Sequence, residues 1–263
     1  MLEIHNLTKT YYLNTKTAER TDEGAMPETP TVLPTLDDIS LQVKRGEFVS
    51  ILGPSGCGKT TLFNLISGLE KPDRGAILLE GKDITGERGH VSYMLQKDLL
   101  FPWRTILENC ILGMEIQGIP RKKAREKART LLAEFNLAAY EDRYPHVLSG
   151  GMRQRAAFLR TMLANKEILL LDEPFGALDA YTKSEMHEWL MSIWSKYHPT
   201  ILFITHDIEE ALFLSDRIYV LSACPAKVKY SLTVALPRPR KRHVLVSEEF
   251  IQLKKLLLQI LFE

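Results

Sequence analysis

The stretch GPSGCGKTT, positions 53 to 61, constrains this chain more than any other. Gly53, Gly58, Lys59 and Thr60 satisfy the spacing G-x-x-x-x-G-K-[ST], directly after the apolar run FVSIL and directly before TTLFNLISGL, which has helical periodicity. A glycine-rich turn between a buried strand and a helix lets backbone amides point inward, because no Cβ stands in the way. The positive end of the helix dipole faces the same point. Lys59 supplies a cation for terminal phosphates and Thr60 a hydroxyl for Mg2+, so the pattern predicts a nucleotide phosphate clamp. Pro54, Ser55, Gly56, Cys57 and Thr61 complete the loop and are expected against the same ligand. The bland alternative is a glycine turn that binds nothing. The four fixed positions arise by chance in such a chain roughly one time in a hundred, and the strand and helix flanks lower that further. Cys57, beside Lys59 at a helix start, is expected to have a lowered pKa and a reactive thiolate.

The rest of the chain supplies a fold to match. LEIHNL and ISLQV alternate with period two, as half-buried strands do, and read as an antiparallel flap. FVSIL, VSYML, ILLLD, ILFIT and IYVLS are nearly continuous apolar runs, the pattern of parallel strands covered on both faces. The expected fold is α/β: a P-loop core with a mainly parallel central sheet, an antiparallel β flap and an inserted helical lobe. With 263 residues, 45% of them hydrophobic, the chain has material for one sizeable core plus a smaller lobe. The expected division is residues 1–95 and 161–263 for the core and 96–160 for the lobe, where TILENCILGMEIQ and RKKAREKARTLLAEF have helical spacing around Pro120. Residues 14–34, rich in Thr, Glu and Pro, read as a flexible surface loop. SEEFIQLKKLLLQILF reads as a final helix, capped by Ser247 and packed on its own core.

Charge and cysteine usage narrow the setting. A net charge of +1 gives no field for drawing in nucleic acid. Three cysteines without metal-ligand spacing fit a reducing compartment. No apolar run approaches the ~18 residues of a membrane span, and MLEIHNLTKTYY lacks the apolar centre of a signal peptide, so the expected place is the cytoplasm, with any membrane role peripheral.

A phosphate clamp needs a carboxylate for its magnesium. ILLLDEP provides Asp172 at the end of the most apolar strand, and Glu173 follows where a carboxylate polarises an attacking water. A surface DE pair is the alternative reading, against which stand the buried strand before it and Pro174 after it. LSGGMRQR then places Ser149, Gly150 and Gly151 at a second helix start able to bind phosphate. In this combination the chain resembles the ATP-binding subunits of ABC transporters, in which the Walker A loop of one copy and the LSGG motif of another close on one ATP.

The resemblance runs from Leu2 to Leu221 and implies the remaining roles. Tyr11 of LTKTYY matches the aromatic that stacks on adenine, with Tyr12 as the alternative. Gln96 matches the glutamine that senses Mg2+ and the permease, Asp179 of GALD the loop touching the opposite copy, and His206 the switch histidine at the γ-phosphate. Singly, such a Tyr, Gln or His is more often a packing or surface residue; here they fall in family order. The implied machine binds ATP and Mg2+ through Thr60, Asp172 and Gln96. It works as a homodimer on two transmembrane permease subunits, at the cytoplasmic face of the membrane, with an extracytoplasmic solute-binding protein as indirect partner. LLFPWRTILEN, DEPFGALDAYTK and LPRPR resemble the importers of nitrate, sulfonate, taurine or thiamine precursors, and Phe101, Pro102 and Trp103 are expected to line the groove for a permease helix. Met152 departs from the usual signature glutamine, and the 14–34 insertion from the usual short connection. Soluble relatives acting on DNA or ribosomes are the alternative; they carry paired cassettes or a long inserted coiled coil, and this chain has neither. A metabolic kinase would need no LSGG or later histidine.

Overall fold

Each nearly continuous apolar run forms a strand. The computed structural model describes residues 1–13 and 31–262. In chain order it has β1 (Leu2–Leu13), β2 (Thr31–Val43), β3 (Phe48–Leu52), α1 (Lys59–Ile66), β4 (Arg74–Leu79), β5 (Lys82–Asp83) and β6 (Ser92–Met94). The helices α2 (Ile106–Cys110), α3 (Leu112–Ile116), α4 (Arg121–Glu134) and α5 (Gly150–Leu163) follow. The chain then runs through β7 (Ile168–Asp172), α6 (Ala180–Tyr197), β8 (Thr200–Thr205), α7 (Ile208–Leu214), β9 (Arg217–Leu221), β10 (Val228–Thr233) and α8 (Glu248–Phe262).

The central sheet has the order β10-β9-β3-β8-β7-β6, parallel except for β10 at its edge. Every residue of β3, β7 and β8 is buried, as strands covered on both faces must be. The second sheet, β2-β1-β4-β5, is the expected antiparallel flap. Its strand β4 went unread in the sequence because RGAILL does not alternate and only Ile77 is buried. Gly75 there has φ +94, and a Cβ would stand 2.4 Å from the His5 carbonyl oxygen, so the approach of β4 to β1 requires glycine.

The expected loop 14–34 needs one correction. Residues 31–34 belong to β2 and pair with β1, Leu33 opposite Tyr11 and Pro34 opposite Thr10. Composition missed this because β2 is an edge strand whose first residues are exposed, where Pro is tolerated. Residues 14–30 lie outside the described residues.

The block expected to be helical is so. Thr105 caps α2 and forms a capping box with Glu108, while the single helix expected over TILENCILGMEIQ divides at Ile111 into α2 and α3. Ile106, Leu107, Ala124, Ala128 and Leu132 are buried in the same apolar cluster as Phe48, Leu171 and Phe203, so this block packs on one face of the central sheet. α1 and the flap cover the other face through Leu62, Phe63, Ile4 and Ile39. Ser247 Oγ accepts the Phe250 N–H at 3.3 Å, and Phe250 and Leu257 anchor α8 in the core. No described helix is long and apolar enough to cross a membrane.

LPRPR proves to be a helix clamp. Arg240, 3% exposed, donates to the carbonyls of Leu212, Phe213 and Ser215 at the C-terminal end of α7 and to those of Val234 and Leu236. Arg238 donates to the Leu214 carbonyl and the Asp216 carboxylate and stacks over Trp194 at 4.0 Å. Cations at a helix C-terminus answer its free carbonyls and dipole.

Candidate active site

The loop between β3 and α1 is shaped by two left-handed glycines, Gly56 at φ +76 and Gly58 at φ +109. The φ of Gly58 favours glycine, and a Cβ there would also crowd β2, 2.9 Å from the Leu36 side chain and 3.2 Å from the Thr35 carbonyl oxygen. At Gly56 no atom lies within 4 Å of that position, which leaves an open cradle. Lys59, only 5% exposed, turns its ammonium to the carbonyl oxygens of Gly53 and Pro54, both at 2.9 Å. The buried charge is thereby hydrogen-bonded within the loop.

The end of β7 lies beside it. Thr60 Oγ1 donates to Asp172 Oδ2 at 3.0 Å and Tyr93 Oη to the same oxygen at 3.2 Å. Burial pushes the Asp172 carboxyl above its ordinary value, against the lowering effect of these two hydroxyls. Burial and the adjacent Asp172 carry the Tyr93 hydroxyl well above the ordinary tyrosine range. Tyr93 was not foreseen: sequence shows a strand at 92–94, but not that it pairs with β7.

Glu173 takes a left-handed conformation, φ +42, which it shares with seven other described non-glycine residues and which is uncommon for a residue with a side chain. Its amide donates to the Ile204 carbonyl at 3.1 Å, which ties the turn to β8. The carboxylate is a meeting point. Oε1 lies 3.3 Å from His206 Nδ1 and 3.9 Å from Lys59 Nζ, and Gln96 Nε2 donates to Oε2 at 3.4 Å. These groups come from four separate segments, and Gln96, Asp172, Glu173, Lys59 and Thr60 border one open cavity of about 610 Å³. Ser55 and Thr61 also line it, as does Tyr11, whose hydroxyl donates to the Glu70 carboxylate. Burial, with Glu70 adding to it, raises the Tyr11 hydroxyl. Tyr12 faces the other way and is 66% exposed, so of the two tyrosines Tyr11 borders the cavity.

Three further residues complete the wall, Leu33, Thr35 and Cys224, and none was anticipated. Leu33 arrives through the register of β2 against β1, Thr35 at the irregularity in that register between Pro34 and Leu36, and Cys224 through the segment after β9. Only the paired sheets bring them there. The expected reactive thiolate at Cys57 is overturned. The side chain is 1% exposed and burial pushes its thiol up, outweighing the lowering effect of Lys59.

The signature stretch and Asp179 stand apart from this cavity. Ser149 Oγ caps α5, accepting the Met152 N–H at 3.4 Å, and Asp179 Oδ1 caps α6, accepting the N–H groups of Tyr181 at 3.1 Å and Thr182 at 3.0 Å. The Thr182 side chain, then its backbone N–H, hold the Asp179 carboxyl below its usual value. Gly151 is buried, and a Cβ there would lie 3.1 Å from Thr182 on α6; at Gly150 one would lie 3.3 Å from Leu178. Met152 packs against the apolar core. Trp103 is 71% exposed and stacks on Phe101 at 5.1 Å, held outward by a loop that Asn109 builds. The buried Asn109 amide donates to the carbonyls of Phe101, Arg104 and Thr105.

Comparison with known proteins matches residues 36–176 to the ABC transporter family. The formylaminopyrimidine import ATP-binding protein ThiZ of Halalkalibacterium halodurans is 50% identical over 73% of this chain and 75% of its own length. The aliphatic sulfonates import ATP-binding protein SsuB of Bacillus cereus is 40% identical over 85% of this chain and 87% of its own. Among solved structures, a dimeric ATP-binding cassette in a post-hydrolysis state, bound to ADP and Pi, superposes with a TM-score of 0.71 and 29% identity, over 90% of this chain and all of that one.

Proposed function

This chain belongs to the ABC transporter family, and we propose that it is the ATP-binding, ATP-hydrolysing subunit of an importer for a small solute, acting as a pair of copies beneath a transmembrane permease. The observation that carries this is the convergence of Lys59, Gln96 and His206 on Glu173 at the edge of the phosphate loop. Relatives named for import support the direction of transport.

The proposed reading gives each residue a task. Lys59 exchanges its bonds to Gly53 and Pro54 for the terminal phosphates of ATP, and the loop amides and α1 dipole bind the phosphate charge. Thr60 and Asp172 fit Mg2+, since they set two hard oxygen donors 3.0 Å apart beside the loop, with Gln96 bordering the same cavity. An Mg2+ held by these residues would supply positive charge against the phosphates of ATP. Glu173 accepts the proton of the attacking water and His206 holds the γ-phosphate side of that arrangement. Tyr11 offers its ring to the adenine.

A second copy is needed because the α5 start, with Ser149, Gly150 and Gly151, does not border its own chain's cavity. In the proposed closed pair it meets the partner's ATP, near Asp179. The dimeric cassette bound to ADP and Pi supports such an arrangement. The outward Phe101–Trp103 stack gives the permease an aromatic contact at the cytoplasmic face of the membrane, and an extracytoplasmic binding protein delivers the solute. The test is Glu173→Gln. General-base catalysis contributes about 10² to 10⁴-fold, so turnover should fall by that order while ATP affinity holds and an ATP-bound dimer appears on gel filtration. Hydrolysis at the wild-type rate would remove Glu173 as the base.

A further inference from the structure

The residues flanking His206 are held more firmly than the histidine, whose side chain is 53% exposed. On one side, Thr205 Oγ1 accepts the Asp207 N–H at 2.9 Å and donates to the Glu210 carboxylate. On the other, Asp207 Oδ1 accepts the N–H groups of Glu209 at 2.9 Å and Glu210 at 3.2 Å, while Oδ2 accepts from Lys183 Nζ at 2.8 Å. Glu210, 4% exposed, also meets His187 Nε2 at 2.7 Å and Lys183 Nζ at 3.7 Å. Lys183 and His187 are four residues apart and so share one face of α6. The turn between β8 and α7 is therefore fastened to α6, the helix that starts at the Asp179 cap. The His187 ring also packs against Phe175 at 5.5 Å, two residues beyond Glu173.

The charges agree with this bracing. Burial pulls the Lys183 ammonium down, but Glu210 and Asp207 outweigh it and hold it above its ordinary value. Burial likewise pushes the Asp207 carboxyl up, and Lys183 outweighs it and keeps it low. Both stay ionised at neutral pH.

We propose that Lys183 is a positioning residue for ATP hydrolysis: by binding Asp207 and Glu210 to α6 it fixes the turn that carries His206, so that His206 and the Asp179 end of α6 move as one body. The proposal rests on the reading of Glu173 and His206 as hydrolytic residues. It makes the segment expected to face the partner copy mechanically continuous with the one facing the γ-phosphate, and gives α6 a task besides packing.

The test compares steady-state ATP hydrolysis and binding of a fluorescent ATP analogue in Lys183→Met, Lys183→Gln and Lys183→Arg. Leu257→Ala in α8, remote from the cavity, is the control for lost stability. Misplacement of a catalytic group by a fraction of an ångström to about 1 Å costs roughly ten- to a hundredfold, and Lys183→Met and Lys183→Gln should lower kcat by that factor. KM for MgATP and analogue affinity should stay within about twofold, since nothing in the phosphate clamp is touched. Lys183→Arg, which keeps the charge, should retain most of the rate, and Leu257→Ala should keep kcat although its Tm falls. Lys183→Gln reads the charge alone if Lys183→Met does not fold. Wild-type kcat in both neutral variants, an equal fall in Leu257→Ala at matched Tm, or failure of arginine to rescue would each overturn the proposal. A wild-type protein without hydrolysis would defeat the assignment of Glu173 itself, and this inference with it.

Discussion

Glu173 and Cys57 show how far a single residue's surroundings can depart from its neighbours in sequence. Glu173 is held at φ +42 by its amide's bond to Ile204, which swings the carboxylate from the end of β7 toward His206 and Lys59. Such strain costs of order 1–3 kcal/mol and persists where the surrounding fold enforces it. Cys57 has the helix start and the lysine that favour a thiolate, yet burial outweighs both. The exposed thiol that lines the cavity beside the phosphate loop is Cys224. Alkylation with a small maleimide should accordingly label Cys224 far ahead of Cys57, and saturating MgATP should slow it. Peptide mass spectrometry decides this. Labelling of Cys224 that ignores nucleotide would separate that thiol from the binding site.

Among the elements, α7 is a short helix held at both ends. Its N-terminus is capped by Asp207, and its C-terminal carbonyls are met by Arg240 and Arg238. Seven residues hold little helix on their own, so these end contacts set where it lies. The buried Arg240 side chain is costly to hold, and burial brings its pKa down to about 10, with neighbouring Arg238 adding to the shift. Arg240→Met should destabilise the protein by about 2–4 kcal/mol, because several buried carbonyls lose a charged donor at once. Urea unfolding measures this, and an unchanged midpoint would mean that water replaces the guanidinium at those carbonyls. The late LPRPR stretch thus acts on the C-terminal end of the helix that follows His206.

For the whole molecule, the two helix starts that the sequence pattern singles out for phosphate face different places. α1 opens on the cavity of its own chain, and α5 does not. Ser149→Arg should therefore leave ATP binding by the monomer nearly wild type, while blocking the ATP-induced dimer of the Glu173→Gln protein. Lys59→Ala should weaken binding in the monomer itself, since it removes the lysine cation of the clamp. A fluorescent ATP analogue, titrated at protein concentrations too low for pairing, separates the two. Equal loss in both variants would place Ser149 within its own chain's site and end the two-copy mechanism.

The local pattern of the sequence determined the phosphate loop, the buried strands and the helical block. Those features depend on neighbours a few positions apart: glycines before a helix dipole, apolar runs at the sheet's centre, and helical spacing around Pro120. It also supplied Asp172 and Glu173, which follow directly from the end of β7. What it could not decide was which elements lie side by side. Tyr93 reaches Asp172 only because β6 pairs with β7, Leu33 and Thr35 reach the cavity beside the phosphate loop only through the pairing of β2 with β1 and its irregularity, and Lys183 reaches Asp207 only because α6 lies against the β8–α7 turn. Burial of Cys57 is likewise a property of the closed loop under β2 and β9. Such contacts join residues tens of positions apart, and their geometry and desolvation exist only once the sheets have paired and the core has closed.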